Sequence, residues 1–390
     1  MSSAMSRAVY ARRGRIRRAV AGLGSAAAIV ALSGCGAIGG GEDSADKATE
    51  NLRTAQVLSV TLHLTDPKNA MASAAAETGE EEMAATVLDS AVTITVDPSG
   101  DHGVGETAAA APSDPVEALK QSGAVEFSYT HAGKQVLAVR MIDGVVYAKA
   151  DLDEMSAISG QDGANPLADM PESMSSVAEG LKAGKWLTLD LPAVAEQHPE
   201  LKAMLTSEGA GGLSPDAAIQ LQTELVEALK ANSTQTVTKS GDAMTITMKV
   251  QAKAFLTAAF DALSATGITG LDSDFDDAKE EIDGLADGTV DVSLTVQDDH
   301  ITTAALDLHS VAVLTGDEKN QKTTDGVTLI ADIDDSADPV TAPAAEDTVD
   351  LAPMLTSMLS GLTGAAGMDG MDGMDGMDGM MPSTDVEPTS

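Results

Sequence analysis

The chain has 390 residues, with 61 acidic against 23 basic side chains and a formal net charge of −38. That balance excludes a nucleic-acid binder, which needs clustered positive charge to displace counterions from phosphates. Apolar residues make up 43% and aromatics 2%, so a core must be built from Val, Leu, Ile, Ala and Met.

The only cysteine excludes a disulfide framework and a cysteine-based zinc site. Positive charge is concentrated at the start, where Arg7, Arg12, Arg13, Arg15, Arg17 and Arg18 precede any acid. An apolar stretch, Ala19 to Leu32, leads into Leu32-Ser33-Gly34-Cys35. A basic region, a short apolar region and small residues make a secretory signal. The last four residues resemble the lipobox of bacterial lipoproteins. The resemblance implies cleavage after Gly34 and transfer of a diacylglyceryl group to the Cys35 thiol. Two or more acyl chains anchor a protein stably, at about 0.8 kcal/mol per buried CH₂. Two Arg pairs leave both the general and the twin-arginine export routes open. Removal of residues 1–34 leaves 17 basic and 61 acidic side chains, a net charge of −44. Such a domain is held off an anionic bilayer by its tether. No apolar run of about 18 residues occurs, so no membrane-spanning helix is expected in the mature chain. The abundance of Ala, Gly and Asp points to an actinobacterial source.

Residues 35–43 read as the lipidated cysteine and a flexible tether. A short helix is predicted from Ser44 to Ala55. Val57 to Leu64 reads as a strand, ended by Asp66-Pro67. Met71 to Met83 is either a loop or a short helix, and Val87 to Val96 a second strand. Asp101 to Asp114 is predicted as a loop. A three-stranded meander covers Ala124 to Ala150, turning at Ala132-Gly133 and at Asp143-Gly144, the strongest hairpin signal in the chain. Lys185 to Leu191 is a strand carrying the only tryptophan, Trp186.

Ser214-Pro215-Asp216 opens a helix with Leu221, Leu225 and Leu229 on one face. A second strand block follows. Thr234 to Thr238 is a strand, and Met244, Ile246, Met248 and Val250 alternate with polar residues in strict period two. A helix near Ala252 to Ala265 separates them from the alternating run Val290 to Val296. Asp298-Asp299 turns the chain into Ile301 to Leu314, read as one further strand run. Val327 to Ile333 alternates once more. After Asp338-Pro339 order is expected to fade, with a short helix at Leu351 to Leu362. Residues 341–390 read as a low-complexity tail in which Met-Asp-Gly repeats four times from Met368 to Gly379.

About eleven strands with three or four helices imply an α+β fold. Strands with one polar face indicate a curved antiparallel sheet, a half-open β-barrel with helices packed on its concave face. The order of tether, helix, strands, the meander turning through Ile142-Asp143-Gly144-Val145-Val146-Tyr147, Lys185-Trp186-Leu187 and a second strand block resembles one family. It is that of the actinobacterial lipoproteins of the LppX/LprA/LprF/LprG type and, more distantly, the LolA/LolB carriers. The resemblance covers roughly residues 44–340 and implies a concave cavity that holds lipid acyl chains.

No catalytic set emerges. The six histidines, His63, His102, His131, His198, His300 and His309, have no ligand spacing. No Gly-x-Ser-x-Gly, His-Glu-x-x-His or P-loop occurs. Asp272, Asp274, Asp276 and Asp277 fall short of a calcium loop, because Asp277 stands where the turn requires glycine. The Met-Asp-Gly repeats offer thioethers that suit Cu(I), but a disordered tail is the simpler reading. Asn232-Ser233-Thr234 matches a glycosylation acceptor, with no modification expected in a bacterial lipoprotein. Met244, Met248, Phe255, Leu256, Phe260 and Leu263 are candidates to line a lipid cavity, or else to fill a core.

The expected protein is a non-enzymatic lipoprotein on the outer face of the cytoplasmic membrane. It is anchored through Cys35, uses no cofactor or metal, and binds or carries a lipid or other amphiphile. The other reading is a protein-interaction or envelope-sensing module with a filled core.

Overall fold

A computed structural model describes residues 43–98, 103–104, 115–158, 174–198, 215–265, 272–316 and 318–355. Cys35, Gly34, His102 and the Met-Asp-Gly repeats lie outside these residues, as does most of Leu351 to Leu362.

The first helix, α1 (Asp43–Thr54), places Ala45, Ala48 and Leu52 on one buried face by their spacing of three and four. Strand β1 (Leu58–Thr65) follows, then two short helices, α2 (Ala70–Thr78) and α3 (Glu81–Leu88). The region from Met71 to Met83 is therefore helical, and Val87 and Leu88 belong to α3 rather than to the next strand. Strand β2 (Ser90–Asp97) and helix α4 (Pro115–Lys120) lead to the meander β3 (Ala124–His131), β4 (Lys134–Ile142) and β5 (Val145–Ala150). Both residues of the β4–β5 turn have positive φ, 49° at Asp143 and 82° at Gly144, as a two-residue hairpin of this hand requires.

Helices α5 (Leu152–Ile158) and α6 (Ser175–Lys182), strand β6 (Trp186–Asp190) and helix α7 (Leu191–Gln197) complete the first half. The second half is α8 (Pro215–Ala231), β7 (Ser233–Ser240), β8 (Ala243–Gln251), α9 (Ala252–Ala265), α10 (Asp272–Asp283), β9 (Thr289–Gln297) and β10 (His300–Asp307). Then come α11 (Leu308–Leu314), α12 (Glu318–Thr323), β11 (Thr328–Asp334) and β12 (Thr348–Asp350).

The run expected as one strand to Leu314 thus divides at Asp307. Its carboxylate accepts the His309 N–H at 2.9 Å and caps α11.

All twelve strands form one curved, open sheet in the order β12-β6-β5-β4-β3-β2-β1-β11-β10-β9-β8-β7. Neighbours are antiparallel except β12 and β6, which are parallel, so the sheet is mixed. The two halves join where β1 pairs with β11, from Ser59 opposite Asp334 to Thr65 opposite Thr328. The fold also continues beyond residue 340, the expected boundary of the domain. The Val340 N–H donates to Asp97 Oδ2 at 3.2 Å, Arg140 Nη1 donates to the Thr341 carbonyl at 2.9 Å, and Lys185 Nζ donates to the Glu346 carbonyl at 2.9 Å. The segment therefore crosses the outer face over β2, β4 and β6 before β12 adds to the edge.

Candidate functional site

One face of the sheet is apolar from β1 to β6, and the register places its residues in rows. Val60 lies opposite Ile94, Ile94 opposite Phe127, Phe127 opposite Val139, Val139 opposite Ala148, and Ala148 opposite Leu187. A second row runs Leu62, Val92, Tyr129, Leu137, Ala150. The same face continues into the other half, because Val60 is opposite Ile333 and Leu62 opposite Ala331.

The two halves of this face differ in what covers them. Over β8 to β11 the side chains of α1, α8 and α9 complete a filled core. Ala48, Met248 and Leu294 are wholly buried there, and Ile246 and Ile301 almost so. Leu58, Val60 and Leu62 of β1 pack against that core, but over β2 to β6 the same kind of surface is only half-buried, and Phe127 at its middle is 36% exposed. Four strand spacings make this open half about 19 Å wide. Around it, Met83 and Val87 of α3 and Met155 of α5 are exposed apolar side chains.

The cavity candidates from the sequence fall mainly on the filled half. Met244, Met248 and Phe255 are buried in its core, and Leu256 packs against it. Phe260 and Leu263 are half-buried on α9. The face that remains open is built instead by the meander and its neighbours.

A polar cluster closes one end of the open half. Ser90 begins β2 and lies opposite His131, the last residue of β3. The Ser90 hydroxyl donates to the Thr86 carbonyl of α3 at 2.6 Å. It also lies 2.8 Å from Tyr129 Oη and 3.4 Å from His131 Nδ1. Ser90 has one proton, already given to Thr86, so Tyr129 O–H donates to Ser90 Oγ, and His131 donates to it in the tautomer that carries its hydrogen on Nδ1. This is the reverse of a nucleophile–base pair, in which the imidazole accepts the hydroxyl proton. In the sequence these residues share no ligand spacing. The register between the start of β2 and the end of β3 is the signal that brings Ser90 and His131 together.

Three further histidines make local contacts. His63 Nδ1 is 3.5 Å from Asp332, across the β1–β11 joint. His300 Nδ1 is 2.8 Å from Asp335, whose carboxylate holds the imidazole pKa above its ordinary value, with Asp298 and Asp299 adding to the effect. His309 Nδ1 reaches the Gln321 carbonyl at 3.0 Å. Among the described residues no group of three or more His, Cys, Asp or Glu is placed to hold a metal ion. The acidic run from Asp272 opens α10.

On the outer face, Arg140 of β4 forks onto Glu126 of β3 at 2.9 and 3.4 Å and lies over the Trp186 ring. Among the described residues no helix is long and apolar enough to cross a membrane. In comparisons with known proteins, no family model matches the chain and no curated protein matches it.

Proposed function

We propose that the protein is a lipoprotein anchored through Cys35 on the outer face of the cytoplasmic membrane, where it binds or carries a lipid or other amphiphile without catalysis. The observation that carries this reading is the unevenly covered apolar face. Sequence of the same alternation is packed under helices over β8 to β11 and left half-open over β2 to β6. A half-open apolar surface of this width supports reading it as a binding site. Ten methylenes laid on it contribute about 8 kcal/mol before ordering costs. The resemblance to the LppX-type lipoproteins and LolA/LolB carriers points the same way. The charge of −44 on the mature chain supports a domain that stands off the bilayer and receives its ligand one molecule at a time.

The test is native mass spectrometry of the mature chain, with an organic extract of the same sample analysed alongside. A stoichiometric lipid adduct is expected, lost in Val139→Asp, which places a charge at the centre of the open half. A clean apo mass together with no binding of a neutral hydrophobic dye overturns the reading in favour of an interaction module. Cys35→Ala is expected to release the exported protein from the membrane fraction. Retention of that variant at the membrane overturns the anchor.

A further inference from the structure

We propose that Ser90, Tyr129 and His131 form the head-group end of the open apolar face and select an amphiphile with an uncharged, hydroxyl-bearing head, such as an acylglycerol, over one with a carboxylate or phosphate head. The inference rests on the groove proposed above and adds the class of ligand.

Its basis is the direction of the hydrogen bonds. Ser90 gives its proton to Thr86 and receives that of Tyr129, and the contact with His131 is satisfied when the imidazole carries its hydrogen on Nδ1. In the neutral imidazole Nδ1 then carries the hydrogen, and Nε2 is left as a lone-pair acceptor. Tyr129 Oη has also spent its hydrogen and keeps lone pairs. What the cluster offers an incoming head is therefore acceptor capacity, which a hydroxyl donor satisfies and an anion does not. The surrounding charge agrees. Lys134, opposite His131 across the hairpin, is held by Glu154 at 3.0 Å, and Asp89 beside Ser90 is exposed.

Position supports the assignment as well. Tyr129 belongs to the same face as Val92 and Leu137, its neighbours in register, so a head at this cluster continues directly into the apolar surface. The tail then lies toward Phe127, Val139 and Met141.

The experiment titrates the mature full-length chain with mono-oleoylglycerol and with oleate, following displacement of a neutral hydrophobic dye. The wild type is expected to bind mono-oleoylglycerol about tenfold more tightly, because an anion leaves the acceptors unpaired. Tyr129→Phe keeps the apolar ring, removes the hydroxyl, and is expected to weaken mono-oleoylglycerol about 3- to 10-fold. His131→Leu is expected to erase the preference. Equal or tighter binding of oleate by the wild type overturns the inference. So does a preference that survives both variants, and in either case retained dye binding leaves the groove itself standing. A wild type that binds neither lipid nor dye overturns both.

Discussion

Arg140 on β4 and Trp186 on β6 meet across the backbone of β5, with the guanidinium carbon 4.6 Å from the ring centroid. The same guanidinium forks onto Glu126 and donates to the Thr341 carbonyl, so one side chain binds three strands and the crossing segment together. Arg140→Ala is expected to cost about 2–3 kcal/mol in urea unfolding, because it also leaves the largely covered Glu126 carboxylate without its partner. Arg140→Lys should recover less than half, having no planar fork to offer. A loss below about 0.5 kcal/mol for the Ala variant contradicts this account.

The two halves of the apolar face should respond oppositely to mutation. Met248→Ala removes a wholly buried side chain from the filled core and is expected to cost about 2–5 kcal/mol of stability with little change in ligand binding. Val139→Asp sits on the half-open surface and is expected to cost no more than about 1–2 kcal/mol while abolishing dye and lipid binding. Paired unfolding and dye titrations of the two variants check the division. Equal destabilisation by both would mean that the open half is as tightly packed as the filled one.

Helix α6 approaches β12 closely at Gly180, where an added Cβ would stand 2.5 Å from Val349 Cγ2. Gly180→Ala gains about 1 kcal/mol in helix propensity but forces the two elements apart, a cost of about 1–3 kcal/mol. The expected readout is faster proteolysis between residues 336 and 350 with the remaining sheet still folded. Unchanged cleavage in that segment would show that β12 yields without detaching.

The His300–Asp335 pair sets a pH dependence with a definite sign. The folded imidazole has its pKa raised by Asp335, so folding binds the proton more tightly than the unfolded chain does. The stabilisation is full below the ordinary histidine pKa of about 6.5 and is lost as pH rises through the raised folded value. Asp335→Asn should flatten this portion of the stability–pH curve, and NMR titration of His300 should show its pKa fall. A His300 pKa unaltered by that change would rule out Asp335 as the cause.

The local elements were largely legible. Strict alternation marked β8, and α9 has the bounds expected from its apolar face. Three features were not. Leu308 to Leu314 has no period that separates a short helix from a strand, so the cap at Asp307 was decisive. Strand β12 is three residues long and exists only because β6 offers an edge. The most consequential gap concerns the candidate site. Leu137, Val139 and Met141 alternate as Met244, Ile246 and Met248 do, yet helices pack on one set and leave the other half-open. That difference belongs to tertiary arrangement and has no trace in the strands themselves. The Ser90–His131 pair likewise needs the register of two strands about forty residues apart.

The joint between β1 and β11 also fixes an order of assembly. Thr65 and Thr328 bond across it, 263 residues apart. Strand β1 can pair with β2 early in synthesis, but its other edge waits until nearly the whole chain has been made. Through that interval the greasy side of the meander and an unpaired central edge are both uncovered. Long-range pairing of this kind is slow and open to aggregation. A chain cut short before β11 is left with its middle strand as an edge.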